Sequence, residues 1–279
     1  MDLNKSILFG QAVNQAYAIG PNDLTNRAGT VFSIGGANYE TVTSIYANDL
    51  STDMSPEAGK QRVSIGLILQ AAGAGDVVIA IRGTEGWLEW IHDAQFLLVP
   101  CTFMPSAGNA EDGFTDMYNS LRTGVDASAL TVTQALQKNP FKRPVTSLTI
   151  CGHSLGGALV TLLALDVSVN TNFTPSVYTY ASRRTGDPQF VRTYNHCVPD
   201  TTRIANRLDV VPNLPFPPLY DHVLGEFPLN PVKVTVIPPS ITPLVKPEIP
   251  CLHFLTTYLH LLTQLTGGAV TDLAPNCKP

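Results

Sequence analysis

The chain has 279 residues, of which 44% are hydrophobic and 14% are charged, and it carries a formal net charge of −5. Because the charged share is well below the roughly 25% of an ordinary domain, the composition indicates a core-rich globular chain and excludes a disordered one. The acidic balance argues against nucleic acid or an anionic membrane surface as the main partner. No apolar run approaches the ~18 residues of a transmembrane helix, so no membrane-spanning segment is expected.

The first 20 residues predict an amphipathic helix. They contain one lysine and a short apolar patch broken by Gln and Asn, which is a poor signal peptide. A leader already removed from a secreted precursor would leave the same sequence, so the compartment stays open. The residues expected near one face of this helix are Ile7, Leu8, Ala12, Ala16 and Tyr17.

Strand-like and helix-like patterns then alternate along the chain, which indicates an α/β architecture. The runs that read as buried strands are 38–45, 63–69, 76–81, 147–151, 176–181 and 201–206. The helical patterns between and after them are 114–121, 130–138, 156–167 and 255–265.

Residues 212–250 differ from the rest, because they hold 11 of the 22 prolines. Proline at this density excludes a central strand or a helix. We interpret the segment as a long surface excursion with one short edge strand at 233–236. Since no stretch resembles an interdomain linker, residues 1–279 are predicted to form one domain.

The five cysteines form no CxxC pair, so neither a metal site nor a redox site is expected. The simplest interpretation is buried thiols with at most one bridge, since an odd count leaves one cysteine unpaired. Cys251 and Cys277 flank the last predicted helix and are the best candidates for that bridge.

Ser154 stands in the sequence Gly-His-Ser-Leu-Gly at 152–156, between a strand-like run and a helical run of small residues. This context is typical of a nucleophile elbow, in which a strained turn leaves room only for small residues two positions before and after the serine. The elbow also places the serine at a helix N-terminus, where free N–H groups favour negative charge. The N–H of Leu155 is therefore the natural first donor to an oxyanion.

An acid and a histidine should follow the serine in that order. Asp209 lies just past a predicted strand, where catalytic loops are found, and Asp221 is the second candidate. His253 precedes the last helix and is preferred as the base, with His222 as the alternative. A second oxyanion donor is expected at Thr84, in the Arg-Gly-Thr turn that ends the strand 76–81.

Taken together, these motifs resemble those of the class 3 lipases, a family with the α/β-hydrolase fold. The resemblance implies a mostly parallel central sheet flanked by helices, with Ser154 as nucleophile, Asp209 as acid, His253 as base, and Thr84 and Leu155 as the oxyanion hole. The matching segments span about 180 residues: IRGT at 81–84, DGF at 112–114, GHSLGG at 152–157, NRLDVVPNLP at 206–215 and HFLTTYL at 253–259.

Three departures from the family pattern concern the rim of the pocket. Glu111-Asp112 stands where relatives often carry a histidine, and the segment 181–186 replaces a G-S-P-R-V-G turn. The proline-rich stretch before His253 is also longer than usual. These departures affect the expected acyl preference and leave the catalytic residues unchanged.

The resemblance also implies a lid at 85–98, directly after the oxyanion turn. An apolar underside would cover the acyl pocket in water and open at a lipid–water interface. An ordinary packed helix is the alternative interpretation. The residues assigned to the lid and substrate contact are Trp87, Leu88, Trp90 and Ile91.

The predicted activity is two-step hydrolysis of a carboxylic ester without a cofactor or metal, with triacylglycerol as the first choice of substrate. A short-chain or feruloyl esterase is the main alternative. A non-catalytic binding protein with the hydrolase fold and a serine peptidase are more distant ones. The expected partner is a lipid or small ester substrate. The resemblance to the family favours a secreted protein over a cytoplasmic one.

Overall fold

A computed structural model describes residues 1–49, 61–84, 96–230, 248–275 and 277, without the side chains of 248–250. The helices are α1 (Leu3–Ile19), α2 (Asp112–Asn119), α3 (Val132–Gln137), α4 (Leu155–Asn170), α5 (Pro188–Cys197), α6 (Glu248–His253) and α7 (Leu255–Thr266). The strands are β1 (Val31–Ile34), β2 (Ala37–Asn48), β3 (Arg62–Ala71), β4 (Asp76–Ile81), β5 (Leu98–Pro100), β6 (Asn109–Glu111), β7 (Ser147–His153), β8 (Ser176–Tyr180), β9 (Thr201–Asn206) and β10 (Glu226–Leu229).

Within the described residues, eight strands form one sheet in the order β1-β2-β3-β4-β7-β8-β9-β10. The first four strands pair antiparallel, and every pairing from β4 onward is parallel. Since parallel neighbours need crossover connections, helices cover both faces of this half. The mostly parallel sheet of the predicted fold is thereby confirmed.

In the part of the chain that the structure describes, the sheet separates two hydrophobic cores. One lies against α2, α3, α4 and α5, and the other lies against α1 and α7. Helix α4 is buried almost along its whole length, which fits a helix that is apolar on every side. Helix α4 follows β7 directly, so the serine between them lies at the carboxyl end of the parallel strands.

The N-terminal helix has its buried face slightly rotated from the predicted one. Ala12 and Ala16 are buried as expected, whereas Ile7, Leu8 and Tyr17 lie half-buried at the edge of the contact. The centre of the buried face is formed by Phe9, Ala12, Val13 and Ala16. Because Tyr17 sits at this edge, its hydroxyl can reach polar groups beside the sheet.

The proline-rich segment is described at 212–230 and 248–250. Its last three residues begin helix α6, Glu248–His253, so the expectation that this segment holds no helix is wrong at its C-terminal end. Its first part contains a short 3₁₀ turn, Val211–Asn213, and the parallel strand β10. Among the described residues β10 pairs on one side only, which is where a strand tolerates a proline such as Pro228. The strand predicted at 233–236 lies outside the described residues. So do residues 85–95 of the predicted lid, including Trp87, Leu88, Trp90 and Ile91.

The predicted disulfide is present between Cys251 and Cys277, whose Cα atoms are 5.5 Å apart. It ties the short helix α6 to the segment that follows α7. Burial raises the pKa of the Cys101 thiol to about 11, and it raises the pKa of the Cys151 thiol as well. Both are therefore protonated packing groups. Within the part of the chain that the structure describes, no helix is long and apolar enough to cross a membrane.

Candidate active site

Ser154 occupies a strained turn between β7 and α4, with φ 57° and ψ −123°. A positive φ is uncommon for a residue with a side chain and persists only where the surroundings hold it. Here the N–H of Ser154 donates to the carbonyl of Tyr180 at 2.9 Å, and its carbonyl accepts from Gly157 at 2.9 Å. The turn presents the serine side chain at the start of the helix, as an elbow requires.

The two glycines around the serine are required by close backbone contacts. A Cβ on Gly152 would lie 2.4 Å from the carbonyl oxygen of Gly156. A Cβ on Gly156 would lie 2.5 Å from the carbonyl oxygens of Ile81 and Arg82. Because backbone atoms of a packed sheet cannot move aside cheaply, neither position tolerates a larger residue.

His253 connects Ser154 to Asp209 through its two ring nitrogens. Nε2 lies 2.8 Å from Ser154 Oγ, and Nδ1 lies 2.7 Å from Asp209 Oδ2. All three residues are at most 2% exposed. Since an ionised carboxylate only accepts, Nδ1 carries the proton and Nε2 accepts from the serine hydroxyl. The structure thus brings together the three residues chosen from the sequence.

The local setting of His253 differs from the predicted loop. His253 is the last residue of the short helix α6, and Phe254 separates it from α7. The disulfide at Cys251 anchors this helix two residues before the histidine. The histidine is therefore held between two helices, which restricts the position of its ring.

Asp209 accepts two further hydrogen bonds that the sequence did not predict. Oδ2 accepts from the Tyr258 hydroxyl at 2.8 Å, and Oδ1 accepts from the Val211 N–H at 3.0 Å. Burial, followed by the charge of Asp209, raises the pKa of Tyr258 well above its usual value, so the phenol remains a donor. The one signal for Tyr258 was its place within the HFLTTYL motif, five residues after His253.

The alternative acid and base lie in other environments. Asp221 is exposed, and its carboxylate accepts from the N–H of His222. His222 bonds through Nε2 to the carbonyl of Pro212 at 2.8 Å. Burial, with the nearby charges of Arg203 and Arg184, lowers the pKa of His222 to about 3. His222 is therefore a structural histidine, and Asp221 is a surface carboxylate beside it.

The predicted oxyanion donors flank the serine. Leu155 is the first residue of α4, where N–H groups have no acceptor within the helix. Thr84 follows Gly83, and a Cβ placed on Gly83 would lie 3.0 Å from the Cβ of Ser154. The turn that carries Thr84 is therefore packed against the elbow.

The lowered pKa of His153 makes the free energy of unfolding depend on pH. Burial, followed by the charge of His253, lowers the pKa of His153 well below its usual value of about 6.5. Below pH ~6.5 the side chain of His153 binds a proton in the unfolded chain but stays neutral in the folded chain. The free energy of unfolding therefore falls by up to about 1.4 kcal/mol for each unit by which the pH is lowered. We expect His153→Gln to remove this part of the slope between pH 6 and pH 5, as measured by urea unfolding. The depressed pKa of His222 acts in the same direction and stays in both proteins, so equal slopes would contradict the prediction.

Comparison with known proteins places these motifs in a family. The family model described as "Lipase (class 3)" matches residues 78–218, which include the Arg-Gly-Thr turn, the elbow and Asp209. The chain is 34% identical over 163 residues to phospholipase A1-II 1 of Oryza sativa subsp. indica, covering 52% of this chain and 41% of that protein. It is 29% identical over 225 residues to phospholipase A1-IIgamma of Arabidopsis thaliana, covering 72% and 51%. The chain spans about half the length of the curated relatives it matches.

Solved structures with the same fold include fungal enzymes. A mutant form of MDLA from Penicillium cyclopium aligns with a TM-score of 0.62 at 22% identity, covering 82% of this chain and 80% of that one. The mono- and diacylglycerol lipase from Aspergillus oryzae aligns with a TM-score of 0.62 at 18% identity, covering 85% and 83%. Identities this low establish the fold alone, and the family follows from the match over 78–218. The chain has the α/β-hydrolase fold and belongs to the class 3 lipases, a family of carboxylic ester hydrolases.

Proposed function

We propose that the protein is a serine hydrolase that cleaves acyl esters of glycerolipids through an acyl-enzyme intermediate. The observation that carries the proposal is the unbroken, buried line of hydrogen bonds from Ser154 Oγ through His253 to Asp209. A serine hydroxyl bonded to an imidazole, which is itself oriented by a carboxylate, is the arrangement that activates a weak oxygen nucleophile.

In the proposed mechanism, His253 Nε2 takes the proton of Ser154 as Oγ attacks the ester carbonyl. Asp209 holds the ring in the correct tautomer and stabilises the imidazolium that forms. His253 then gives the proton to the departing alcohol, which leaves an acyl group on Ser154. Water then attacks the acyl-enzyme, with His253 again taking the proton, and the fatty acid is released as Ser154 regains its hydrogen.

The negative charge on the carbonyl oxygen needs donors that are already in place. We assign this role to the N–H of Leu155 and to Thr84, through its N–H and its hydroxyl. Preorganised donors stabilise the tetrahedral intermediate more than the ground state because the charge develops only during reaction. The position of Leu155 at the helix N-terminus adds the favourable end of the helix dipole.

Thr84→Val tests the hydroxyl part of this assignment. Loss of one oxyanion donor costs about 10²-fold or more in kcat, so we expect a drop of about that size with little change in KM. Thr84→Ser is the matched control, because it keeps the hydroxyl and should stay near the wild-type rate. Turnover of p-nitrophenyl butyrate measures both variants. A Thr84→Val rate within twofold of wild type would leave only the backbone of Thr84 in the mechanism.

Two lipid classes are candidates for the substrate. Triacylglycerol is the prediction from the sequence. A glycerophospholipid is favoured by the names of the plant relatives, all of which are phospholipases A1 in the comparisons above. The two lipids differ at the third glycerol position, where a neutral acyl ester stands in place of a charged phosphodiester.

The experiment that tests the proposal compares rates on emulsified triolein, dioleoylphosphatidylcholine vesicles, p-nitrophenyl butyrate and a feruloyl ester, with Ser154→Ala as the blank. Fatty acid release from triolein or phosphatidylcholine supports a glycerolipid hydrolase and identifies the lipid. Activity confined to the two soluble esters would favour an esterase. No turnover of any ester would favour a binding protein.

The proposed lid at 85–98 has its own readout in the same experiment. A lid that opens at a lipid surface produces a rise in rate when a short-chain ester passes its solubility limit. A rate that follows substrate concentration smoothly through this limit would argue against the lid.

A further inference from the structure

His153 precedes the proposed nucleophile and takes no part in the mechanism above, yet it is buried and hydrogen-bonded at both ring nitrogens. Nε2 lies 2.8 Å from the backbone carbonyl of His253, and Nδ1 lies 2.7 Å from the hydroxyl of Tyr17. The rings of His153 and His253 are tilted against each other with centroids 4.9 Å apart. His153 therefore links helix α1 to the backbone of the proposed base.

The direction of these bonds follows from what each atom can do. The carbonyl of His253 can only accept, so His153 Nε2 carries the proton and donates. Burial holds the pKa of His153 well below its usual value, which keeps the ring neutral and leaves a lone pair on Nδ1. Nδ1 consequently accepts from the Tyr17 hydroxyl. A neutral His153 also adds no positive charge beside His253 when that ring becomes an imidazolium.

Tyr17 extends the chain of bonds to the oxyanion turn. Its hydroxyl oxygen accepts from the backbone N–H of Gly83 at 2.9 Å while its proton goes to His153. Gly83 is the residue immediately before Thr84. Helix α1 lies outside residues 78–218, which the family model matches, so Tyr17 comes from a segment beyond that match.

Arg82 fixes the other side of the same glycine. Its Nη1 donates to the carbonyl of Gly83 at 2.9 Å, and its Nε donates to the carbonyl of Ser64 at 3.0 Å. The guanidinium carbon also lies 5.9 Å from the centre of the Tyr17 ring. The Gly83 carbonyl and the Thr84 N–H belong to one planar trans peptide and point in opposite directions. Holding the carbonyl therefore sets the direction of the N–H.

We propose that Tyr17, His153 and Arg82 form a positioning network that fixes the Thr84 oxyanion donor relative to the His253 base. The network touches no reacting atom and acts through the backbones of Gly83 and His253. The oxyanion donor and the base must both meet the same tetrahedral intermediate, so their separation has to be held closely. A displacement of about 1 Å in such a group can cost about 10²-fold in rate.

The inference rests on the proposed function, and Tyr17→Phe tests it. This change removes one hydroxyl and keeps the ring, so it cuts the network between Gly83 and His153. We expect kcat for p-nitrophenyl butyrate to fall about 10- to 100-fold with KM within twofold of wild type. The rate at which a p-nitrophenyl phosphonate labels Ser154 should fall by a similar factor, because this reaction uses the same donor and the same base.

Tyr46→Phe is the matched control. Tyr46 is buried, and its hydroxyl donates to the carbonyl of Leu24 at 3.1 Å, away from the network. Both variants lose a hydrogen-bonded tyrosine hydroxyl and should show a lowered thermal midpoint, but Tyr46→Phe should keep kcat within twofold. If Tyr17→Phe does not fold, His153→Gln cuts the network at its centre and should give the same loss of kcat.

The outcomes separate the two proposals. Tyr17→Phe or His153→Gln with wild-type kcat in an active protein would overturn the positioning role and leave the hydrolase proposal intact. Equal losses of kcat in Tyr17→Phe and Tyr46→Phe would also overturn it, since the effect would then be one of general stability. A wild-type protein that neither hydrolyses esters nor reacts with the phosphonate would overturn the hydrolase proposal and the positioning role with it.

Discussion

Replacing Ser154 by alanine will lower kcat for every ester substrate by about 10⁶-fold, the loss found when the nucleophile of a serine triad is removed. The substitution deletes Oγ and with it the atom that would form the acyl-enzyme. Alanine keeps the Cβ, so the positive φ and the contacts of the elbow are unchanged. We therefore expect the thermal midpoint to stay near that of the wild type while turnover disappears.

Ser182→Ala is the matched control for this experiment. Ser182 is another buried serine, just beyond the neighbouring strand β8, and its side chain packs against the elbow helix near Gly157. It has no hydrogen bond to His253 among the described contacts, so its loss should leave kcat within a few-fold. Mass spectrometry after phosphonate treatment adds a direct check, because the label should appear on the peptide that contains Ser154. A Ser154→Ala rate above one hundredth of wild type would contradict the assignment.

The sequence predicted the six long strands from apolar runs or from alternating apolar and polar residues, and both patterns are local signals. It missed β1, β5, β6 and β10, which have only three or four residues. Short strands carry too few side chains to show a period, and β10 also contains Pro228. The antiparallel half of the sheet was not predicted either, because strand pairing depends on contacts between distant parts of the chain.

The same distinction between local and distant signals applies to the site. Ser154 was found from five consecutive residues, and Asp209 and His253 were chosen by their order and their position beside elements. Tyr17 contacts His153 across 136 positions, and Tyr258 contacts Asp209 across 49. A tyrosine on an amphipathic helix looks the same in sequence whether its hydroxyl meets water or an active-site histidine. Only packing of the helix on the sheet distinguishes the two.

Asp209→Asn should lower kcat by about 10⁴-fold without a comparable change in KM. The amide has nearly the shape of the carboxylate, so the site should keep its packing. It lacks the negative charge that stabilises an imidazolium at His253. Its NH₂ group can also face Nδ1, which would force the proton onto Nε2 and leave that nitrogen unable to accept from Ser154. The variant would then bind substrate normally and fail at the first proton transfer.

Asp221→Asn is the control, since Asp221 was the second candidate acid and is exposed. Its kcat should stay within twofold of wild type, measured with p-nitrophenyl butyrate. The reverse pattern, with Asp221→Asn inactive and Asp209→Asn active, would exchange the two assignments. The buried carboxylate of Asp209 accepts from His253, Tyr258 and the N–H of Val211. Because these donors lie around one carboxylate, a loss specific to Asp209→Asn would show that the base depends on this carboxylate.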